Sequence, residues 1–369
     1  MPAQRSRPSP PSDARSTRLN IGEIARRVGV ARSTVSYALS GRRSISEELR
    51  ARILRVVEEL GYRPNASARA LAEGRSRTVG LVIPPPTRRL LESQLAFVAA
   101  VSELVSAADL DLLLSPSTGD HDRSFQRMLS GRRVDGVLMM EVRLRDERIV
   151  ALERSRIPFV LIGRPADPRG LFWADVDYGV VVERCVEQLA ELGHRRIALL
   201  NRPAEMLAAG YGVARRAAEG FAAAAARRGV RPHAFCCPDD AAGGEATIQR
   251  ILGARPRITA AVTINDAALA GVARALDRAH VRVPQDFSLV GVVGERWAED
   301  FHPALTAAVI SPMDLMRGAF EMLLERMADP RAPARHFLHA PPIQQGASTG
   351  PAPAPAPRAR TRGRPPAGR

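Results

Sequence analysis

The 369-residue chain contains no lysine, and all 54 of its basic side chains are arginine. That bias reads as genome composition rather than as selection for phosphate binding. Cysteine is scarce: Cys185 and the adjacent Cys236 and Cys237 make neither an even framework nor a metal-type spacing. Nothing therefore requires an oxidising compartment, and a reducing cytoplasm is the expected location. No segment supplies the ~18 apolar residues of a membrane span. The opening MPAQRSRPSPPSDARSTR has no apolar core for export, so a soluble, non-secreted protein is expected. Enzyme signatures are missing too. The seven histidines form no HExxH pair, no Gly-x-Ser-x-Gly elbow occurs, and the Gly-rich loops lack phosphate-cradle spacing. His336 and His339 stand three apart with no third ligand. No catalytic residue, cofactor or metal is expected, and a solute-binding protein lacks its export signal.

Apolar residues make up 45% of the chain, enough for a large core, and the length allows two or three domains. The net charge of +15 is unevenly spread. Sixteen arginines face 7 acids in residues 1–77, 33 face 32 in 78–349, and 5 face none in 350–369. A nearly neutral body with basic ends fits a DNA-binding head joined to a small-molecule domain.

From Asn20 the sequence reads NIGEIARRVGVARSTVSYALSGR. Ile21, Ile24, Ala25 and Val28 share one helical face, Gly29 supplies a positive-φ turn, and Val35, Ala38 and Leu39 repeat the face. This predicts a helix-turn-helix whose second helix spans 32–39. Arg32, Ser33 and Tyr37 are placed to read base edges, and Asn20, Thr34, Ser36 and Ser40 to hold phosphates. Asn20 with Glu23 has capping-box spacing. Ser46, Glu47 and Glu48 begin a third helix with Leu49, Ile53, Val56 and Leu60 buried, closed by Gly61. The segment YRPNASARALAEG then holds a short stretch of helix formers, 66–71, too brief to be stable alone. By pattern it is either a plain linker or an apolar wedge for an opened minor groove, with Asn65, Ala68, Arg69 and Leu71 at the contact.

Beyond Thr78, apolar runs at 79–83, 110–114, 136–140, 159–162, 197–200, 260–264 and 288–293 alternate with helical stretches. The pattern predicts parallel sheets flanked by helices, in two lobes, with ligands bound in the cleft at the carboxyl ends of the strands. Polar residues just after strands are the candidate lining: Ser115, Glu141, Arg164, Asp177, Arg216, Asn265 and Asp266. Asp266 is read as capping the following helix, and Asn265 as pointing into the cleft.

The run from Asn20 through YRPNASARAL to TVGLVIP, with RRVDGVLMM, ELGHRRIALL, AAVTINDAALAGVARAL, RVPQDFSLVGVV, HPALTAAV and QQGAST, resembles the LacI family of bacterial transcription repressors. The resemblance spans roughly 20–349 and implies an all-α helix-turn-helix headpiece with a hinge helix, followed by an α/β core like a periplasmic binding protein. It implies a homodimer on a pseudo-palindromic duplex operator, Leu71 as the minor-groove lever, and a small-molecule effector, a sugar, in the cleft. Chain crossings between the lobes are expected near Gly163, Pro203 and Pro303. Arg164, Asp177 and Asn265 resemble cleft residues of the family.

Three departures stand out. VGVVGE puts Val293 and Gly294 where the family has an aspartate, and Ala217 replaces its arginine, with Arg216 one step and about 100° away. Ala31 replaces the serine that caps the recognition helix, at about 1 kcal/mol. Glu295 and Trp297 are the alternative cleft residues, and an effector other than a simple sugar, or a regulator without one, stays open. The division expected is 1–18 disordered basic tail, 19–62 DNA-binding domain, 63–76 hinge, 77–349 effector and dimerisation domain, and 350–369 disordered Pro/Ala/Arg tail.

Overall fold

The computed structural model describes residues 20–40, 45–62, 75–83, 91–117, 121–131 and 133–354. The chain divides into two compact units, 1–76 and 77–369. The first holds α1 (Ile21–Val28), α2 (Arg32–Ser40) and α3 (Glu47–Glu59). Ile24, Ala25, Val28, Val35, Ala38, Ile53 and Tyr62 form its core. Asn20 Oδ1 caps α1 by accepting from the amides of Gly22 and Glu23 at 2.9 and 3.2 Å. Gly29 ends α1 at φ 74°, a conformation that a Cβ would penalise, and so permits the sharp turn into α2. Arg52 of α3 donates to the carbonyl of Val28 at 2.6 Å, which satisfies an open helix end and ties α3 to α1. Glu23 does not complete a capping box; its carboxylate pairs with Arg26 and Arg27 instead.

The second unit has two six-stranded sheets with the strand orders β11-β5-β4-β3-β1-β2 and β12-β10-β9-β8-β6-β7. The first lobe carries β1 (Thr78–Ile83), α4 (Glu92–Ala107), β2 (Asp111–Pro116), α5 (Arg123–Ser130), β3 (Gly136–Met140), α6 (Glu147–Ser155), β4 (Phe159–Ile162) and β5 (Trp173–Val176). The second carries α7 (Tyr178–Glu191), β6 (Arg196–Asn201), α8 (Ala204–Ala208), α9 (Gly212–Arg228), β7 (Arg231–Cys236), α10 (Ala241–Gly253), β8 (Ala260–Thr263), α11 (Leu269–Arg278), β9 (Ser288–Gly294), α12 (Glu295–Asp300) and β10 (Thr306–Ile310). The chain then returns to the first lobe as α13 (Pro312–Ala328) and β11 (His336–His339) and ends in the second sheet with β12 (Ile343–Gln344). Among the described residues the named strands all pair in parallel except β12 against β10. Central strands such as β3 and β4 are buried along their whole length, as sheets covered on both faces require.

The crossings differ from expectation. They lie at 176–178, 310–312 and 340–342, where the chain passes from one sheet to the other. Gly163 instead closes β4 within the first lobe, while Pro203 starts the short helix α8 and Pro303 precedes β10, both within the second. Proline and glycine mark local turns as well as crossings, and the sequence alone does not separate the two.

His194, two residues before β6, is fully buried. Its ring lies 2.9 Å from Thr259 Oγ1 and 3.1 Å from both Ser288 Oγ and the Gly350 carbonyl. The carbonyl can only accept, so Nε2 carries the hydrogen, and burial holds the imidazole below its usual pKa, in the neutral form. His336 and His339 sit in β11, stacked on Trp173 and Phe337 respectively.

Candidate functional site

On the headpiece, α2 turns Val35 and Ala38 into the core, which leaves Arg32 and Ser33 exposed and Thr34, Ser36 and Tyr37 half-buried. Ala31, at the start of α2, has no polar side chain with which to cap it, and the first bonds run from the amides of Thr34 and Val35 to the carbonyl of Ala31. The Arg32 guanidinium lies over the first turn of α1, so close that a Cβ on Gly22 would come within 2.8 Å of Nε. Gly22 thus makes room for Arg32. Asn20, expected at a phosphate, uses its side-chain oxygen as the α1 cap, which leaves the amide nitrogen to reach outward. The Ser40 side chain and the hinge candidates Asn65, Ala68, Arg69 and Leu71 lie outside the described residues.

The core has a cavity of about 170 Å³ between the lobes. Glu141 enters it from the end of β3, Asp175 from β5, Arg202 from the end of β6, Asp266 from the turn after β8 and Arg216 from α9. Glu141 has a left-handed backbone, φ 51°, uncommon for a residue with a side chain. Arg148 holds that conformation: Nη2 donates to the Glu141 carbonyl at 2.9 Å and Nη1 to the Ser117 carbonyl at 3.2 Å. The same guanidinium grips Asp146 with two bonds of 2.9 and 2.7 Å. Burial works against ionised Asp146, but these bonds outweigh it and hold its carboxyl below the usual range. Gln94 of α4 donates to Glu141 Oε1 at 2.8 Å and aims the carboxylate.

Burial is the largest influence on Asp175, Asp239 and Asp266. It pushes Asp175 and Asp239 up to about 6 each, against the pull of Arg216 and Arg164 on the first and of Arg202 on the second. Asp266 is also raised by burial. Burial opposes the charge of Arg202, yet Asp239, at 2.9 Å, together with Glu141 and Asp266 holds its pKa above the usual value. Asp175 Oδ2 lies 3.6 Å from Arg164 and 3.7 Å from Arg216, outside hydrogen-bond reach, so this buried oxygen is held by charge alone.

Of the residues expected in the cleft, the structure brings Glu141, Arg216 and Asp266 together. Asn265 turns away: it is fully buried and its Nδ2 donates to the carbonyls of Cys237 and Pro238 at 2.9 and 3.3 Å. With the Asn265 amide bound there, Asp266 takes the cavity wall instead. Asp177 caps α7 by accepting from the Val180 amide and lies 3.6 Å from Arg164. Arg164 itself stacks on Trp173, 5.3 Å from the ring centre. Ser115 is enclosed in β2, away from the cavity lining, and Trp297 packs on the core of the second lobe. Arg202, Asp175, Tyr178 and Tyr211 were missed. Arg202 follows β6 directly, so the after-strand rule that selected Arg164 would have found it. Asp175 gives no such signal, because it sits inside a short strand.

The lobes also bond to each other around the cavity. The amide of Leu144 donates to the Gly210 carbonyl at 2.8 Å, and that of Gly212 to the Val142 carbonyl at 3.2 Å. Arg216 Nη2 donates across to the Arg164 carbonyl at 2.8 Å, and Arg296 pairs with Glu92.

Residues 20–65 match the lacI family of bacterial regulatory proteins, and residues 186–349 match a periplasmic binding protein-like domain. The HTH-type transcriptional regulator AglR of Rhizobium meliloti (strain 1021) is 33% identical over 74% of this chain and 77% of its own. Among solved structures, the lac repressor dimer bound to operator and the anti-inducer ONPF superimposes with a TM-score of 0.78. It is 22% identical, over 90% of this chain and 99% of that one. A transcriptional regulator CelR-cellobiose complex gives 0.64 at 23% identity, over 90% of this chain and all of that one. At these identities the two structures establish likeness of fold. Among the described residues no helix is long and apolar enough to cross a membrane.

Proposed function

Because this chain belongs to the lacI family of bacterial regulatory proteins, and is a DNA-binding transcription regulator rather than an enzyme, we propose that it is an effector-controlled repressor. It acts in the cytoplasm as a homodimer, and each α2 reads one half of a pseudo-palindromic operator. Arg32, Ser33 and Tyr37 meet base edges, while Thr34, Ser36, Ser40 and the Asn20 amide meet phosphates. Residues 63–76 form the hinge, with Asn65, Ala68 and Arg69 at the minor groove and Leu71 as its wedge.

The effector is a sugar or related metabolite, bound among Glu141, Asp175, Arg202, Arg216 and Asp266. The convergence of these five side chains from both lobes carries this reading, because a ligand touching both can change their relative position and with it operator affinity. CelR, bound to cellobiose, is a protein of the same fold with such a ligand. The experiment selects duplexes from a random pool, then measures release of the best one across a panel of sugars and nucleosides. At least one compound is expected to weaken binding tenfold or more. A different outcome has its own support in the direct bonds between the lobes: isothermal titration without heat from any compound, with operator binding intact, would make this a regulator that needs no effector.

Arg32→Ala is expected to relax sequence preference at one position of each half-site by about 1–3 kcal/mol, measured by competition between single-base operator variants. An unchanged preference removes Arg32 from the readers.

A further inference from the structure

The cavity is not uniformly polar. In the second sheet the adjacent strands β10, β9, β8 and β6 end in Ile310, then Val293 and Gly294, then Ile264 with Asp266, then Arg202. The wall therefore changes from apolar to charged in a single direction across the sheet. Opposite the apolar end, α13 contributes Pro312 and Leu315, and α4, which packs on α13, contributes Phe97. At the other end Glu141 and Asp266 interact electrostatically with Arg202.

From this gradient we infer that the ligand is amphipathic, with a hydroxylated head at the Arg202 end and an apolar ring or alkyl group at the β9–β10 end. The inference rests on reading the cavity as the effector site and narrows the class of effector. A purely polar ligand would leave the apolar end either empty or in contact with side chains that offer it no hydrogen bond, so that end would contribute nothing to affinity. An apolar substituent fills that end, while its polar head meets the Glu141, Arg202 and Asp266 cluster.

Gly294 gives a clean test. It lines the cavity, nothing lies within 4 Å of a Cβ built on it, and its φ of −68° suits any residue. A side chain there changes the chemistry of the apolar end without a clash. The probe is 2-naphthol, a neutral two-ring alcohol, titrated into the full chain and followed by its fluorescence. The expected result is saturable binding at one site per chain, weakened about tenfold or more by Gly294→Asp and kept within about threefold by Gly294→Ser, since only the former places a charge against the rings. Three outcomes would overturn the inference: no saturable binding, equal binding by Gly294→Asp, or a loss in Gly294→Ser as large as that in Gly294→Asp. Release of the operator by a sugar is unaffected by any of them, so the effector reading stands or falls on its own measurement.

Discussion

Arg148→Met is expected to lower the stability of the core by about 3–5 kcal/mol, the usual cost of removing one member of a buried ion pair. Arg148 is 1% exposed, and without it Asp146, also buried, would keep its charge with no adequate partner. Two carbonyls, of Ser117 and Glu141, would lose their donor as well. The damage reaches the cavity because residues 141–146 carry both the Glu141 carboxylate and the backbone that bonds to the second lobe. Denaturant unfolding of the core measures the loss. Adding Asp146→Asn should recover part of it, because the amide can still accept the Arg148-position amide at the start of α6 without a stranded charge. A single variant within about 1 kcal/mol of the parent would show that the guanidinium is not needed there.

Ile53→Ala should abolish operator binding altogether. Ile53 is fully buried at the centre of the headpiece, and truncating such a side chain costs about 2–5 kcal/mol. A domain below ~70–80 residues rarely has more than ~3–5 kcal/mol to lose. The headpiece would unfold, while the core, with its own hydrophobic clusters, would melt at the parent temperature. Operator anisotropy and circular dichroism test the two halves of this prediction separately. Operator binding within twofold of the parent would contradict it.

The headpiece was legible because every signal in it is local. Asn20 and Ser46 mark helix starts by their side-chain oxygens, Gly29 marks a helix end by its backbone freedom, and the apolar spacing names the buried face. The central strands were legible for a related reason: burial on both faces makes 136–140 and 159–162 uninterrupted apolar runs. The edge strand β7, RPHAFC, was invisible because it is half-exposed and opens with arginine and proline. β5 was missed because Trp-Ala-Asp-Val carries its cavity acid inside the strand.

In the cleft, sequence order identified which residues follow strands but not where they point. Asp266 takes the cavity position expected of Asn265, whose amide is bound to the buried carbonyls of Cys237 and Pro238, partners 27 or 28 residues away. Arg216 stands one helical step from the family position. It reaches the wall nonetheless, its guanidinium seated on the carbonyls of Arg164 and Pro165.

The return of the chain at 310–312 fixes the order in which a nascent polypeptide can mature. When the ribosome has made β1 to β5, the first sheet still lacks its edge strand β11 and the long helix α13 that covers β3, β4 and β5. Those pieces emerge only after almost all of the second lobe. The lobe begun first is therefore completed last, and until then the face of β3, β4 and β5 that α13 will cover stays bare, a surface of the kind that invites aggregation.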